Sequence, residues 1–196
     1  MDGERRHFEH ELALEAVDGR GVSAAAERPG AAVAPTWASS PAATLPDASA
    51  FESGEWGWVH SEQIGSAVDG PGIRLVVWTT GCEFRCLYCH NPDTWKLKHG
   101  RPARAEDVLG EVRRYRRYLQ LAAGGVTLSG GEPLLQDRFV ARVLRGAREL
   151  GVHTALDTNG FLGERLSDAE LADVDLVLLD LKAGGEGTHR RLTGQS

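Results

Sequence analysis

The chain has 196 residues, 41% of them apolar and 26% charged, enough for one domain with a hydrophobic core plus a tail and unlike a collagenous or wholly disordered composition. A net charge of −6 argues against nucleic-acid coating, which calls for a basic surface, and no apolar run approaches the roughly 18 residues that cross a bilayer. Residues 1–11 are charged and lack the apolar stretch of a secretory signal, so the expectation is a cytoplasmic protein with no membrane or nucleic-acid partner.

Residues 1–54 carry nine acidic side chains, four basic ones and thirteen alanines, in stretches such as Ala24-Ala25-Ala26-Glu27-Arg28-Pro29-Gly30. Small residues interrupted by Pro and Gly bury too little apolar area to offset the entropy of ordering. The expectation is a mostly disordered tail over 1–54, with a short helix near 8–17, followed by one core domain over 55–196. Ile73-Arg74-Leu75-Val76-Val77-Trp78-Thr79 is a β-rich run leading into the cysteines. Residues 104–121 repeat apolar groups at Val108, Val112, Tyr115 and Leu119, with Ala122 next, the spacing of one helix face. Arg113, Arg114, Arg116 and Arg117 lie mostly off that face and read as solvated. Val126-Thr127-Leu128-Ser129 is a second strand, closed by Gly130-Gly131. Residues 135–149 form a second amphipathic helix with Phe139, Val140, Val143, Leu144 and Ala147 as its buried stripe and Gly151 as its stop. A third strand runs from His153 to Leu156 and stops at Asn159-Gly160. A short helix near 167–172 precedes the fourth strand, Leu176 to Leu181. Strands alternating with helices predict βαβ units, hence an α/β fold on a parallel sheet with about four units. Chemistry in such sheets gathers at the carboxyl ends of the strands. The cysteines follow the first strand, Gly130-Gly131-Glu132 the second, Asp157 closes the third, and Asp180 and Lys182 close the fourth.

The only three cysteines, Cys82, Cys86 and Cys89, lie within eight residues. An odd number so crowded makes no disulfide framework and points to metal. Two readings of the spacing C-x3-C-x2-C stay open. Structural zinc wants a fourth ligand, for which His90 is next in line, and usually two separated pairs. Three thiolates on a tight loop instead hold three corners of a cubane iron–sulfur cluster and leave the fourth iron open. The neighbouring motifs have structural readings too: Gly130-Gly131-Glu132 with Pro133 also starts a helix, and Asp157-Thr158-Asn159-Gly160 is also a turn sequence. Asp180 and Lys182, two apart on one side of a strand, also fit an ordinary ion pair.

With Tyr88 before its last cysteine, the motif resembles the signature of the radical S-adenosylmethionine family. Val68-Asp69-Gly70-Pro71-Gly72-Ile73-Arg74 and Tyr88-Cys89-His90-Asn91-Pro92-Asp93-Thr94-Trp95 resemble the activases of glycyl-radical enzymes within it. Ser129-Gly130-Gly131-Glu132, Asp157-Thr158-Asn159-Gly160 and Asp180-Leu181-Lys182 continue the likeness in order, over about residues 56–196 and none of the tail. The resemblance implies a partial (β/α) barrel and an anaerobic oxidoreductase. In that family a 4Fe-4S cluster, here on Cys82, Cys86 and Cys89, chelates S-adenosylmethionine through its open iron. One electron then releases a 5′-deoxyadenosyl radical, which takes a hydrogen from a glycine of the partner; the chemistry is the cofactors', and the protein orients them.

The implied partner is pyruvate formate-lyase, its glycine loop arriving near Asp69, Gly70, Pro71 and Gly72, with a flavodoxin or ferredoxin as electron donor. An activator of anaerobic ribonucleotide reductase is the alternative within the group, and a non-catalytic metal-binding fragment the alternative outside it. Implied cofactor contacts are Tyr88 along the adenine, Cys89, His90 through its backbone, Gly130, Gly131 and Glu132 at the amine, Asp180 and Leu181, and Lys182 at the carboxylate or ribose. Asp157, Thr158, Asp180 and the Leu178 carbonyl are implied to cage a monovalent cation. Family members resemble six-unit partial barrels, so four strands imply a fragment or a truncated product whose fourth strand is an open edge.

Overall fold

The computed structural model describes residues 45–195, and the expectations for residues 1–44, the helix near 8–17 among them, lie outside that range. Order begins before Glu55. Asp47 caps the short helix α1 (Ala48–Glu52), its carboxylate accepting the Ala50 amide at 3.0 Å, as short polar side chains do at helix starts. Phe51 stacks on Trp58 with centroids 5.3 Å apart and planes 9° from parallel. Gly54, left-handed at φ 73°, has the backbone of Arg138 and Phe139 where a Cβ would go. The boundary at residue 54 is thus corrected for residues 45–54, which one aromatic contact and one close backbone approach hold against the core.

β1 (Trp56–Ser66) pairs antiparallel with β2 (Arg74–Thr79) on one side and β3 (Arg101–Arg104) on the other. There follow α2 (Ala105–Leu121), β4 (Gly125–Gly130), α3 (Asp137–Glu149), β5 (His153–Thr158), α4 (Asp168–Leu171), β6 (Leu176–Leu179) and α5 (Glu186–Thr193). The six strands form one open sheet in the order β3-β1-β2-β4-β5-β6, parallel from β2 through β6. The four parallel strands are those expected; β1 and β3 add an antiparallel flank to the expected four. β6 pairs with β5 alone, and Val177 and Leu179 on it are exposed. It stops at Leu179, so Asp180 to Lys182 lie past the strand rather than in it. Among the described residues no helix is long and apolar enough to cross a membrane.

Alternation along the parallel strands sorts the chemistry from the packing. Leu75 and Val77, Val126 and Leu128, and Leu156 join one buried cluster with Val108, Val112 and Leu119 of α2 and all five expected stripe residues of α3. The intervening positions turn to the opposite face, where Trp78, Ser129 and Asp157 line a cavity. Trp78 stands opposite Ser129 and Asp157 opposite Leu178 in the strand registers.

At the amino end of that face Arg74 is fully buried. Its Nε donates to Thr127 Oγ1 at 2.9 Å and its Nη2 to the Val126 carbonyl at 2.5 Å, while Nη1 lies 3.1 Å from His153 Nδ1 and 3.5 Å from the Pro71 carbonyl. The Thr127 hydroxyl extends the chain to the Asp69 carbonyl at 2.7 Å. Burial lowers the guanidinium pKa to about 10, against the attraction of Asp175 and Asp69, so it stays charged at neutral pH and ties down the turn of residues 69–72 at Asp69, through Thr127, and at Pro71. Arg74→Ala leaves these acceptors without a donor and is expected to cost on the order of 3 kcal/mol, read as a lower urea midpoint at unchanged slope.

Candidate functional site

The segment leaving β2 is pinned at its start, middle and end. The Gly81 amide donates to the Thr94 carbonyl at 2.7 Å and the Cys82 amide to Trp95 at 3.2 Å, while the Glu132 amide reaches across from β4 to the Gly81 carbonyl at 2.8 Å. Farther on, Phe84 is buried against the rings of Phe161 and His189, with centroids 5.3 and 5.2 Å away. Arg85 lies over the face of Trp95 and donates to the Cys82 and Phe84 carbonyls, each at 2.6 Å. The Cys89 amide closes a turn on the Cys86 carbonyl at 3.2 Å. All three cysteines are free thiols.

The three thiols line one cavity of about 300 Å³ at the carboxyl ends of the strands. Gly131 forms part of its wall: a Cβ there would fall 2.4 Å from the Gly81 carbonyl oxygen and 3.1 Å from Cys82 Cβ, so only glycine lets the end of β4 approach the thiol loop this closely. Among the described residues no three His, Cys, Asp or Glu side chains converge on a single-ion site; the thiols stand around the cavity. A cubane cluster takes its sulfur ligands at separate corners, and the three cysteines that share this cavity wall are the residues that would supply them.

Burial dominates the electrostatics. It pushes the Cys82 thiol up to about 11, reinforced by the nearby charges of Glu83 and Glu132, and it raises Cys86 against the pull of Lys182. Cys82 and Cys86 are therefore neutral thiols in the metal-free loop, and a metal must displace their protons to bind. Burial likewise raises Asp157, although Ser129 Oγ donates to it at 2.7 Å. Lys182 keeps a raised pKa despite burial because Asp180 hydrogen-bonds and attracts it. Both Glu83 carboxylate oxygens are buried with no hydrogen-bond partner among the described residues. The cavity thus sets thiols and glycine backbone beside a paired lysine and carboxylates, a mixture suited to a cluster and a zwitterionic amino acid group.

Of the residues expected at the site, Asp69, Tyr88, His90, Gly130, Gly131, Asp157, Thr158, Asp180 and Lys182 line this cavity with the cysteines. Glu132 is not among the lining residues. Its fully buried carboxylate turns away and accepts the Leu134 amide at 3.0 Å, the Thr158 hydroxyl at 2.7 Å and the Asn159 amide at 2.9 Å. Leu181 is 78% exposed and lies off the cavity, as do Gly70, Pro71, Gly72 and Leu178. Asp180 and Lys182 form the ordinary ion pair as well as part of the wall. The groups expected to cage a cation already have protein partners: Thr158 donates to Glu132, Asp157 accepts from Ser129, and Asp180 holds Lys182. Trp78, Phe84, Asn91, Thr94, Trp95, Ser129 and Asn159 complete the lining and are not among the expected site residues; for Trp78 and Ser129 the available signal is their alternate position on strands whose other face is core. Arg116 and Arg117, at the end of α2 that leads into β4, lie toward the amino ends of the strands, away from the thiols, where Gln120 also reaches the Gly151 carbonyl.

Residues 68–193 match the family described as a 4Fe-4S single cluster domain. The chain is similar to the pyruvate formate-lyase 1-activating enzyme of Escherichia coli strain K12, 45% identical over 142 residues, which cover 71% of this chain and 58% of the relative. It is equally similar to the pyruvate formate-lyase-activating enzyme of Clostridium pasteurianum, 45% identical over 139 residues, and resembles that of Staphylococcus aureus strain USA300 at 42% over 146, with the same shares covered. The chain spans 58% of the length of these relatives.

Proposed function

The chain belongs to the 4Fe-4S single cluster domain family, and we propose that it binds a 4Fe-4S cluster and S-adenosylmethionine as part of an activating enzyme that installs a glycyl radical on pyruvate formate-lyase. The observation that carries this reading is the common cavity of the three free thiols, the Gly130-Gly131 backbone and Lys182. Cys82, Cys86 and Cys89 would hold the cluster, which when bound supplies one electron to the sulfonium of S-adenosylmethionine. The protein's own work is placement. Gly130 and Gly131 admit the amino acid end of the cofactor to the strand end, and Lys182 answers its carboxylate. Tyr88, whose hydroxyl donates to the Lys182 carbonyl at 3.3 Å, borders the same space. Asp69, tethered by the Ser66 hydroxyl and through its carbonyl by Thr127, presents the 69–72 turn to an incoming glycine loop.

The electron comes from a donor of the flavodoxin or ferredoxin class, docking at the carboxyl end of the sheet; Arg116 and Arg117 are at the wrong end to receive it. The working compartment is the cytoplasm under anaerobic conditions. Reconstitution with iron and sulfide without oxygen, then addition of S-adenosylmethionine and dithionite, should yield 5′-deoxyadenosine. Adding pyruvate formate-lyase should then yield a glycyl-radical signal, and prolonged aeration should abolish both. Zinc bound in place of iron, or a loaded cluster that releases no deoxyadenosine, overturns the reading.

A further inference from the structure

A helix leaves its last carbonyls without internal partners, and α5 finds those partners in the cysteine loop. The Arg85 amide donates to the Thr193 carbonyl at 2.7 Å and the Leu87 amide to the Leu192 carbonyl at 3.0 Å. Just beyond, Gln195 Nε2 donates to the Glu83 carbonyl at 3.2 Å, and the His189 ring meets Phe84 edge to face. The reversal that brings Gln195 back is built into the helix end. Gly194 takes the left-handed conformation at φ 79°, and Thr193, fully buried, donates from Oγ1 to the His189 carbonyl at 2.9 Å while accepting the Gln195 amide at 3.1 Å.

Each of Glu83, Phe84, Arg85 and Leu87 is therefore gripped from the α5 side, and the cysteines between and beside them are left to face the cavity. We propose that the carboxyl end of α5, residues 189–195, is the positioning element of the cysteine loop and sets the spacing of its three thiols before any metal arrives. The proposal deepens the reading of Cys82, Cys86 and Cys89 as cluster ligands and rests on it. It makes α5 a condition of cluster assembly rather than a distant part of the scaffold.

The test uses the full chain. A Cβ on Gly194 would find nothing nearer than Arg85 Cβ at 4.0 Å, so Gly194→Ala acts through backbone conformation and not through a clash. Gly194→Asn is the rescue, because Asn visits the left-handed region more readily. Two readouts are taken for the wild type, both Gly194 variants and Gln195→Ala: alkylation rates of the three thiols in metal-free protein under native conditions, and iron and sulfide bound per chain after reconstitution. Gly194→Ala should alkylate about five to thirty times faster, the factor for backbone strain at a positive φ, and bind less than half the wild-type iron, with its thermal midpoint by circular dichroism near that of the wild type. Gly194→Asn should return both values toward wild type, and Gln195→Ala should fall between.

Unchanged alkylation in Gly194→Ala and Gln195→Ala overturns the proposal, as does a loss of iron that Asn fails to rescue or that only follows loss of folded protein. A wild type that binds no iron defeats the ligand reading instead. The thiol rates of the metal-free chain then still decide whether α5 grips the loop.

Discussion

Alanine at Cys82, Cys86 or Cys89 is expected to abolish cluster loading while leaving the metal-free fold standing. A partner one shell removed from a metal already contributes about 10–100-fold to affinity, and loss of a ligand itself exceeds that. A cluster held at three corners has no spare thiol among the described residues to replace a lost one. The fold has little stake in the sulfurs. Cys86 is buried but small, and the Cys82 thiol is neutral at the pH of any ordinary assay, so each variant should unfold within about 1 kcal/mol of wild type. Because the protons must leave before iron binds, loading of the wild type should strengthen as pH rises from 7 to 9 and weaken as it falls. Iron and sulfide analysis, the visible absorption of the cluster and a urea titration read the three parts separately. A Cys variant that keeps its full iron would remove that residue from the ligand set.

The parallel half of the sheet was readable because each of its strands and helices keeps one period from end to end. The α3 stripe and Val108, Val112 and Leu119 of α2 are buried where a 3.6-residue repeat places them. β1 escaped because its register slips between Val59 and Ser61 and again between Ile64 and Ser66, and each slip moves the following side chains to the other face. β3 is four residues long and contains Pro102, which is tolerated only at a sheet edge and argues against a strand when read alone. α5 has a single large apolar residue, Leu192; its available signals were the Glu186–Arg190 pair and the Gly194 stop.

The same contrast runs through the site. Spacing alone marks the three cysteines, and position at strand ends marks Gly130, Gly131, Asp157 and Lys182. Whether a strand-end glutamate faces a ligand or the wall behind it depends on its side-chain torsions and on where Thr158 happens to stand. Glu132 therefore had to be seen in place.

Glu132→Ala is expected to be the most destabilising single change in this wall, at about 3–5 kcal/mol. The carboxylate is fully buried and is the acceptor for two amides and one hydroxyl on two stretches of chain: Leu134 after β4, and Thr158 with Asn159 at the end of β5. Alanine leaves the buried Leu134 amide and Thr158 hydroxyl and the half-buried Asn159 amide without this acceptor. Glu132→Gln retains the shape and one oxygen, but its amide NH2 must face one of those donors, so it should lose one contact and rank between wild type and alanine. The two variants also separate the charge from the hydrogen bonds. Burial raises the Glu132 pKa from 4.5, aided by the like charge of Glu83 and opposed by the Thr158, Asn159 and Leu134 bonds. The folded carboxyl thus holds its proton more tightly than the unfolded one, and the folded state binds more protons as pH climbs past 4.5. This group's contribution is then fully present below that pH and is lost on the way up to the raised folded value. Glutamine carries no proton to lose, so the corresponding slope should vanish. Urea unfolding of wild type, Gln and Ala across pH 4 to 8 reads both effects. If Ala matches wild type, or if Gln keeps the wild-type slope, the link that Glu132 makes between β4 and β5 does not hold this side of the cavity. Thr158 and Asn159 would then have to owe their places in the cavity wall to the strand ladder alone.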